Sequence, residues 1–107
     1  MKDYMEKVLP LGSIVKIVNE EDVEYMITTR GILLDENTFY DYGGTIHPVG
    51  LTAETYKLFN HSDIQEVQFL GYRNKVEMHF SAQFKKWRNE FVNNMNEPMG
   101  RLVRGEE

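Results

Sequence analysis

Six large apolar residues near the C-terminus, Val76, Phe80, Phe84, Trp87, Phe91 and Met95, are spaced by 4, 4, 3, 4 and 4 positions. At 100° per residue they fall within an arc of about 100°, the width of one core-facing helix stripe. Charged residues (Glu77, Lys85, Lys86, Arg88 and Glu90) sit between them. The spacing predicts an amphipathic helix of roughly twenty residues, near 30 Å long, that ends before Pro98. Six such side chains, at about 1.5–3 kcal/mol each when buried, are the largest block of apolar burial in the chain. The stripe is therefore expected to face the core. Whatever precedes the helix has to supply the surface it covers.

What precedes it reads as strands. "SIVKIV", from Ser13, is rich in β-branched residues, which suit a pleated, half-buried surface. The polar run Asn19–Asp22 ("NEED") reads as a turn, after which "VEYMITTRG" alternates, with Val23, Tyr25 and Ile27 on one face. The pair predicts an antiparallel hairpin. A second turn falls at Asp35–Thr38 ("DENT"). Phe39–Tyr42 follows as a strand, and Gly43-Gly44 marks a bulge or a close approach of another backbone. Pro48 and Gly50 end that strand. "LTAETYKLF" is open between a short helix and irregular structure. Ser62 and Gln65 have capping-box spacing, so "SDIQ" reads as a helical turn. "EVQFLGY" is a further strand, with Val67 and Phe69 on one face. The first seven residues are open between a short helix and a frayed end.

The 107 residues suffice for one domain, expected over 1–97, with 98–107 ("PMGRLVRGEE") as a flexible tail. Charge is uneven: residues 1–72 carry a net −7 and residues 73–107 a net +2, within an overall −5. An acidic body repels phosphate backbones, which argues against nucleic-acid binding. No apolar run approaches the roughly 20 residues that span a bilayer, and the N-terminus has no apolar signal region. With no cysteine there is neither a disulfide framework nor a thiolate zinc site. The expected compartment is the cytoplasm.

The stretch "FYDYGGTIHPVG" holds the residues that most resemble chemistry. Asp41 and His47 have the types of a base and its orienter, and Arg30 could join them around a pocket. No nucleophile motif accompanies them. Asp41 fixing a turn and His47 at a strand end account for both, and Asp41→Asn is then expected to leave stability nearly unchanged. The histidines, His47, His61 and His79, lack metal-ligand spacing, and no metal or cofactor is expected. On the outer helix face, Met78 lies nearly opposite the apolar stripe. With Lys85, Lys86 and Arg88 it forms the candidate partner-binding surface, since flexible Met side chains suit adaptable protein contacts.

Several short motifs in order carry a resemblance. They are "LPLGS" (Leu9 to Ser13), Met26-Ile27 with Arg30, Asp41-Tyr42 with Pro48 and Gly50, and Phe59-Asn60 leading into Asp63, Ile64, Val67, Phe69, Gly71 and Tyr72. Across residues 8–75 the chain resembles a family of small proteins of Gram-positive Firmicutes, formally a domain of unknown function. The family is encoded beside type VII secretion loci and their LXG-domain toxins. The resemblance implies a cytosolic, non-enzymatic accessory protein, a chaperone or targeting factor for a secreted effector, and carries no catalytic residues. The alternative is a small-ligand or enzymatic domain built on Asp41, His47 and Arg30. The expected fold is α+β: a bent, barrel-like antiparallel sheet of four or five strands under one long C-terminal helix.

Overall fold

The computed structural model describes Met5 and residues 7–96. The strands are β1 (Ile14–Ile17), β2 (Glu20–Asp35), β3 (Thr38–Ile46), β4 (Tyr56–Phe59) and β5 (Ile64–Phe69), followed by a helix, α1 (Lys75–Asn96). They form one antiparallel sheet in the order β4-β3-β2-β1-β5. The fold is α+β, as the alternation of strand patterns and the terminal helix predict. The sheet is open rather than closed into a barrel, with β4 and β5 as its edges. The expected tail, 98–107, lies outside the described residues.

Both hairpin turns follow from local chemistry, and one is shorter than expected. β1 turns into β2 at Val18-Asn19, and Asn19 takes a left-handed φ of 70°, which Asn tolerates better than most residues. Glu20 to Asp22, expected in the turn, already belong to β2. The second turn stands where "DENT" places it: the Asp35 carboxylate accepts from the Asn37 backbone N–H at 2.8 Å, a side chain mimicking a backbone turn.

At Gly43-Gly44 the irregularity lies on the opposite strand. Ile27 pairs with Gly44 and Thr29 with Gly43, so Thr28 is the extra residue. The glycines allow close approach instead. A Cβ on Gly44 would sit 2.6 Å from the Met26 carbonyl oxygen, and one on Gly43 would run into the Tyr56 hydroxyl. "LTAETYKLF" resolves into a turn and the edge strand β4, paired from Tyr42↔Phe59 to Thr45↔Tyr56. The short helical turn starts one residue before "SDIQ", at His61–Asp63, so Gln65 is already in β5.

The core face carries Val15, Ile17, Tyr25, Ile27, Tyr42 and Phe59, brought together by the registers Val15↔Tyr25 and Tyr42↔Phe59. The Phe59 ring lies 6.0 Å from Tyr25 and 5.9 Å from Tyr42. The N-terminal segment is neither helical nor frayed where it is described: Met5, Val8, Leu9 and Pro10 are buried. Two bonds to the Asn89 amide hold Met5, its N–H donating at 2.9 Å and its carbonyl accepting at 3.0 Å.

Asn74 caps α1, its amide oxygen accepting from the Glu77 N–H at 2.8 Å, as an N-cap Asn does. The helix exists where the stripe predicts it but is rotated about its axis. Its buried residues are Ser81, Phe84, Arg88, Asn89 and Val92, a face roughly a quarter turn from the centre of the apolar stripe by the 100° step. Of the stripe, Phe84 is buried and Phe91 partly so, whereas Val76 is 76 % exposed and Phe80 and Trp87 are each 47 % exposed. The side chain of Met95 lies outside the described residues.

Candidate functional site

The rotation of α1 has an electrostatic cause. Asp41 on β3 is fully buried and would be costly there without a counter-charge. Arg88 supplies it in a bidentate pair, Nε to Oδ1 at 2.7 Å and Nη2 to Oδ2 at 3.0 Å. Asp41 Oδ2 also accepts from the His61 N–H at 2.8 Å, and Arg88 Nη1 donates to Asn89 Oδ1 at 2.9 Å. Arg88, expected on the outer face, is thus an interior residue at 2 % exposure. It is corrected out of the candidate surface: the unpaired carboxylate beneath it needs a cation more than solvent does. Asp41 is likewise no exposed turn residue.

A second cluster fastens the start of the helix. Arg30 Nη1 donates to Glu77 Oε2 and Ser81 Oγ, each at 3.0 Å, and to the Leu9 carbonyl at 3.3 Å. Arg73 Nη1 donates to Glu77 Oε1 at 3.0 Å and its Nη2 to the Val8 carbonyl at 2.8 Å. Partial burial by itself would raise the Glu77 carboxyl. The bonds from Ser81 and Arg30, with the charge of Arg73, outweigh it and hold the group below the usual carboxylate range. These bonds tie β2, the N-terminal segment and α1 into one unit. The Tyr42 hydroxyl adds a third tie, accepting from the Leu9 N–H at 3.1 Å and lying 3.0 Å from His61 Nδ1. Burial pushes its phenol up to about 12.

The residues of the enzymatic alternative stand in separate settings. Asp41 is engaged by Arg88, Arg30 by Glu77 and Ser81, and His47 is exposed at the end of β3. Among the described residues no group of three or more His, Cys, Asp or Glu is placed to hold a metal ion.

Along the other flank of α1 lies a groove of about 370 Å³ between the helix, the N-terminal segment and the chain leaving β5. Val8, Leu70, Met78 and Ala82 supply its apolar lining, and Lys7, Arg73 and Lys85 its positive charge. Two of the sequence-predicted residues, Met78 and Lys85, meet here. Lys86 lines an adjoining groove of about 420 Å³ with Lys85, Asn89, Glu90 and Asn93. Among the described residues the ion pairs are Arg30–Glu77, Lys57–Glu20, Arg73–Glu77 and Arg88–Asp41. None uses Lys7, Lys85 or Lys86. Sequence reasoning missed Lys7, Leu70 and Arg73, because no periodicity links them to the helix. The one local signal was Asn74 and Glu77 at cap spacing, which puts Arg73 against the first turn.

These features define a small α+β domain: an open five-stranded sheet whose helix is clamped by buried ion pairs and leaves a basic, apolar-lined groove on its flank. The chain belongs to the family described as a domain of unknown function, DUF4176, which matches residues 8–80. Comparison with curated proteins and with solved structures gave no match. No helix among the described residues is long and apolar enough to cross a membrane.

Proposed function

We propose that this protein is a cytosolic, non-enzymatic accessory factor, a chaperone or targeting factor that binds a type VII secreted effector of the LXG class. The biological setting comes from the resemblance to a family of Gram-positive Firmicutes encoded beside such effectors. The observation that supports binding is the groove beside α1, where Met78 meets Lys85 and Lys7, and neither lysine takes part in an ion pair among the described residues. An apolar floor with cations on its rim suits an amphipathic segment carrying acidic residues. The lysines would speed its association and make binding weaken with salt.

Co-purification with the neighbouring effector tests the reading, comparing wild type with a Met78→Asp, Lys85→Glu, Lys86→Glu variant. Met78 and Lys86 are exposed and Lys85 is half-buried, so the fold is expected to persist. The variant is expected to lose the effector. Retention by the variant moves the interface elsewhere, with the exposed edge strand β5, whose Val67 and Phe69 face solvent, next in line for strand addition. An effector that fails to bind the wild type sinks the chaperone reading.

A further inference from the structure

The flank of α1 opposite the groove holds an apolar surface that the effector reading does not use. Phe80 stacks on Phe84 at 6.2 Å and Trp87 on Phe91 at 5.2 Å, each pair within 12° of parallel. Phe39 of β3 closes the ladder, 5.7 Å from Trp87 and 5.5 Å from Phe91. Leu33 is the cross-strand partner of Phe39 and so shares its face, and it is half exposed. Val76, Phe80, Trp87 and Leu33 together present roughly 400 Å² of apolar surface, taking a free Phe or Trp as about 150–250 Å². That is within the range of the largest apolar patch on a typical monomer, a patch that is often functional.

The order of these residues has a further property. Val76 and Phe91 are equidistant from the midpoint between Gln83 and Phe84, and so are Phe80 and Trp87. Two copies of α1 laid antiparallel about a two-fold axis at that midpoint would set Val76 against the other copy's Phe91. Phe80 would meet the other copy's Trp87. Leu33, beside the Trp87 end, would cover the opposite copy's Val76 end. A two-fold interface requires this kind of self-complementarity, each patch meeting itself in reverse. The area agrees as well: a standard interface buries about 800 Å² per partner, a little over half of it apolar.

We infer that the aromatic flank of α1 is the interface of an antiparallel, two-fold homodimer of this chain. It is independent of the groove, and the two respond oppositely to salt. Each copy carries a net −5, so screening relieves repulsion between copies and dimerisation is expected to hold or tighten as salt rises.

Sedimentation velocity on the full chain, from about 1 to about 200 µM, reads the association directly. Wild type is expected to reach twice the 12.6 kDa of one chain. A Val76→Glu, Phe80→Glu variant is expected to stay monomeric, its dissociation constant raised at least about 100-fold, as for loss of a central aromatic contact. Both side chains are exposed and Arg30 lies 4.7 Å from the Phe80 ring, so a carboxylate there has a partner and the monomer fold is kept, which circular dichroism checks. The chain has no cysteine, so geometry can be read by single substitutions. Gln83→Cys, beside the axis, is expected to form a disulfide between copies. Val76→Cys is expected to do so only when mixed with Phe91→Cys. Wild type that is monomeric throughout overturns the inference, including the case where removing residues 97–107 releases a dimer, which would make that segment the occupant. Self-linking by Val76→Cys as fast as by Gln83→Cys overturns the antiparallel arrangement.

Discussion

Replacing Asp41 by Asn removes one charge from a pair shut off from water, Asp41 at 0 % exposure and Arg88 at 2 %. The carboxylate accepts three hydrogen bonds, two from Arg88 and one from the His61 N–H. An amide of the same shape turns one acceptor into a donor facing a donor and removes the Asp41 charge from beside the guanidinium. Breaking a buried pair from one side costs about 3–5 kcal/mol, against a total stability of about 5–15 kcal/mol for a domain of this size. With a urea dependence of about 1–3 kcal/mol per molar, the unfolding midpoint is expected to fall by roughly 2 M. The single tryptophan, Trp87, reports unfolding by fluorescence, and far-UV circular dichroism guards against a local change beside Arg88. Removing both charges together, as Asp41→Leu with Arg88→Met, is expected to cost much less than the two single changes combined. A midpoint shift for Asp41→Asn below about 0.5 M, the size of an exposed pair, would refute the claim that this contact sets the helix in place.

The rotation of α1 predicts a contrast within the apolar stripe. Phe84→Ala is expected to cost about 3–5 kcal/mol, whereas Val76→Ala, at 76 % exposure, should stay within about 0.5 kcal/mol when measured below the dimerisation range; equal losses in urea titrations would restore the stripe as the core face. At alkaline pH, burial holds the Tyr42 phenol up to about 12 against 10.0 when free. The unfolded chain then releases its proton first, so stability is constant below about pH 10 and falls between about 10 and 12. Tyr42→Phe is expected to flatten part of that fall in unfolding curves taken across the window, with Tyr25, also raised to about 12, supplying the rest; superimposable pH profiles would contradict the assignment.

The two proposed surfaces lie on opposite flanks of one helix. Met78 and Lys85 border the groove on one side, and Val76, Phe80 and Trp87 are the exposed apolar residues on the other. Self-association therefore leaves the groove open, and a dimer would present two copies of it at opposite ends of an antiparallel helix pair. Salt separates the two contacts, weakening the one built on lysines and sparing the apolar one.

Local chemistry determined a good deal by sequence alone. β-branched runs and period-two alternation placed β1, β2, β3 and β5, and the Asp35–Thr38 turn followed from Asp35 reaching the Asn37 N–H. The helix was legible to within a residue or two because a 3.6-residue period repeats along its whole length. Gly43-Gly44 pointed to a tight backbone contact, though only the register showed that the extra residue is Thr28 on the facing strand. Which side of α1 faces inward was left to tertiary structure. Apolar periodicity measures where greasy side chains cluster, and it turned toward Phe80 and Trp87. The actual rotation answers to a carboxylate 47 residues away, because an unpaired charge in the interior costs more than leaving two aromatic rings half exposed. The groove was hidden for the same reason: Lys7, Leu70 and Lys85 are strangers in sequence, and tertiary ties such as those from Arg30 and Arg73 to the backbone at Val8 and Leu9 and from Asn89 to Met5 draw their segments together.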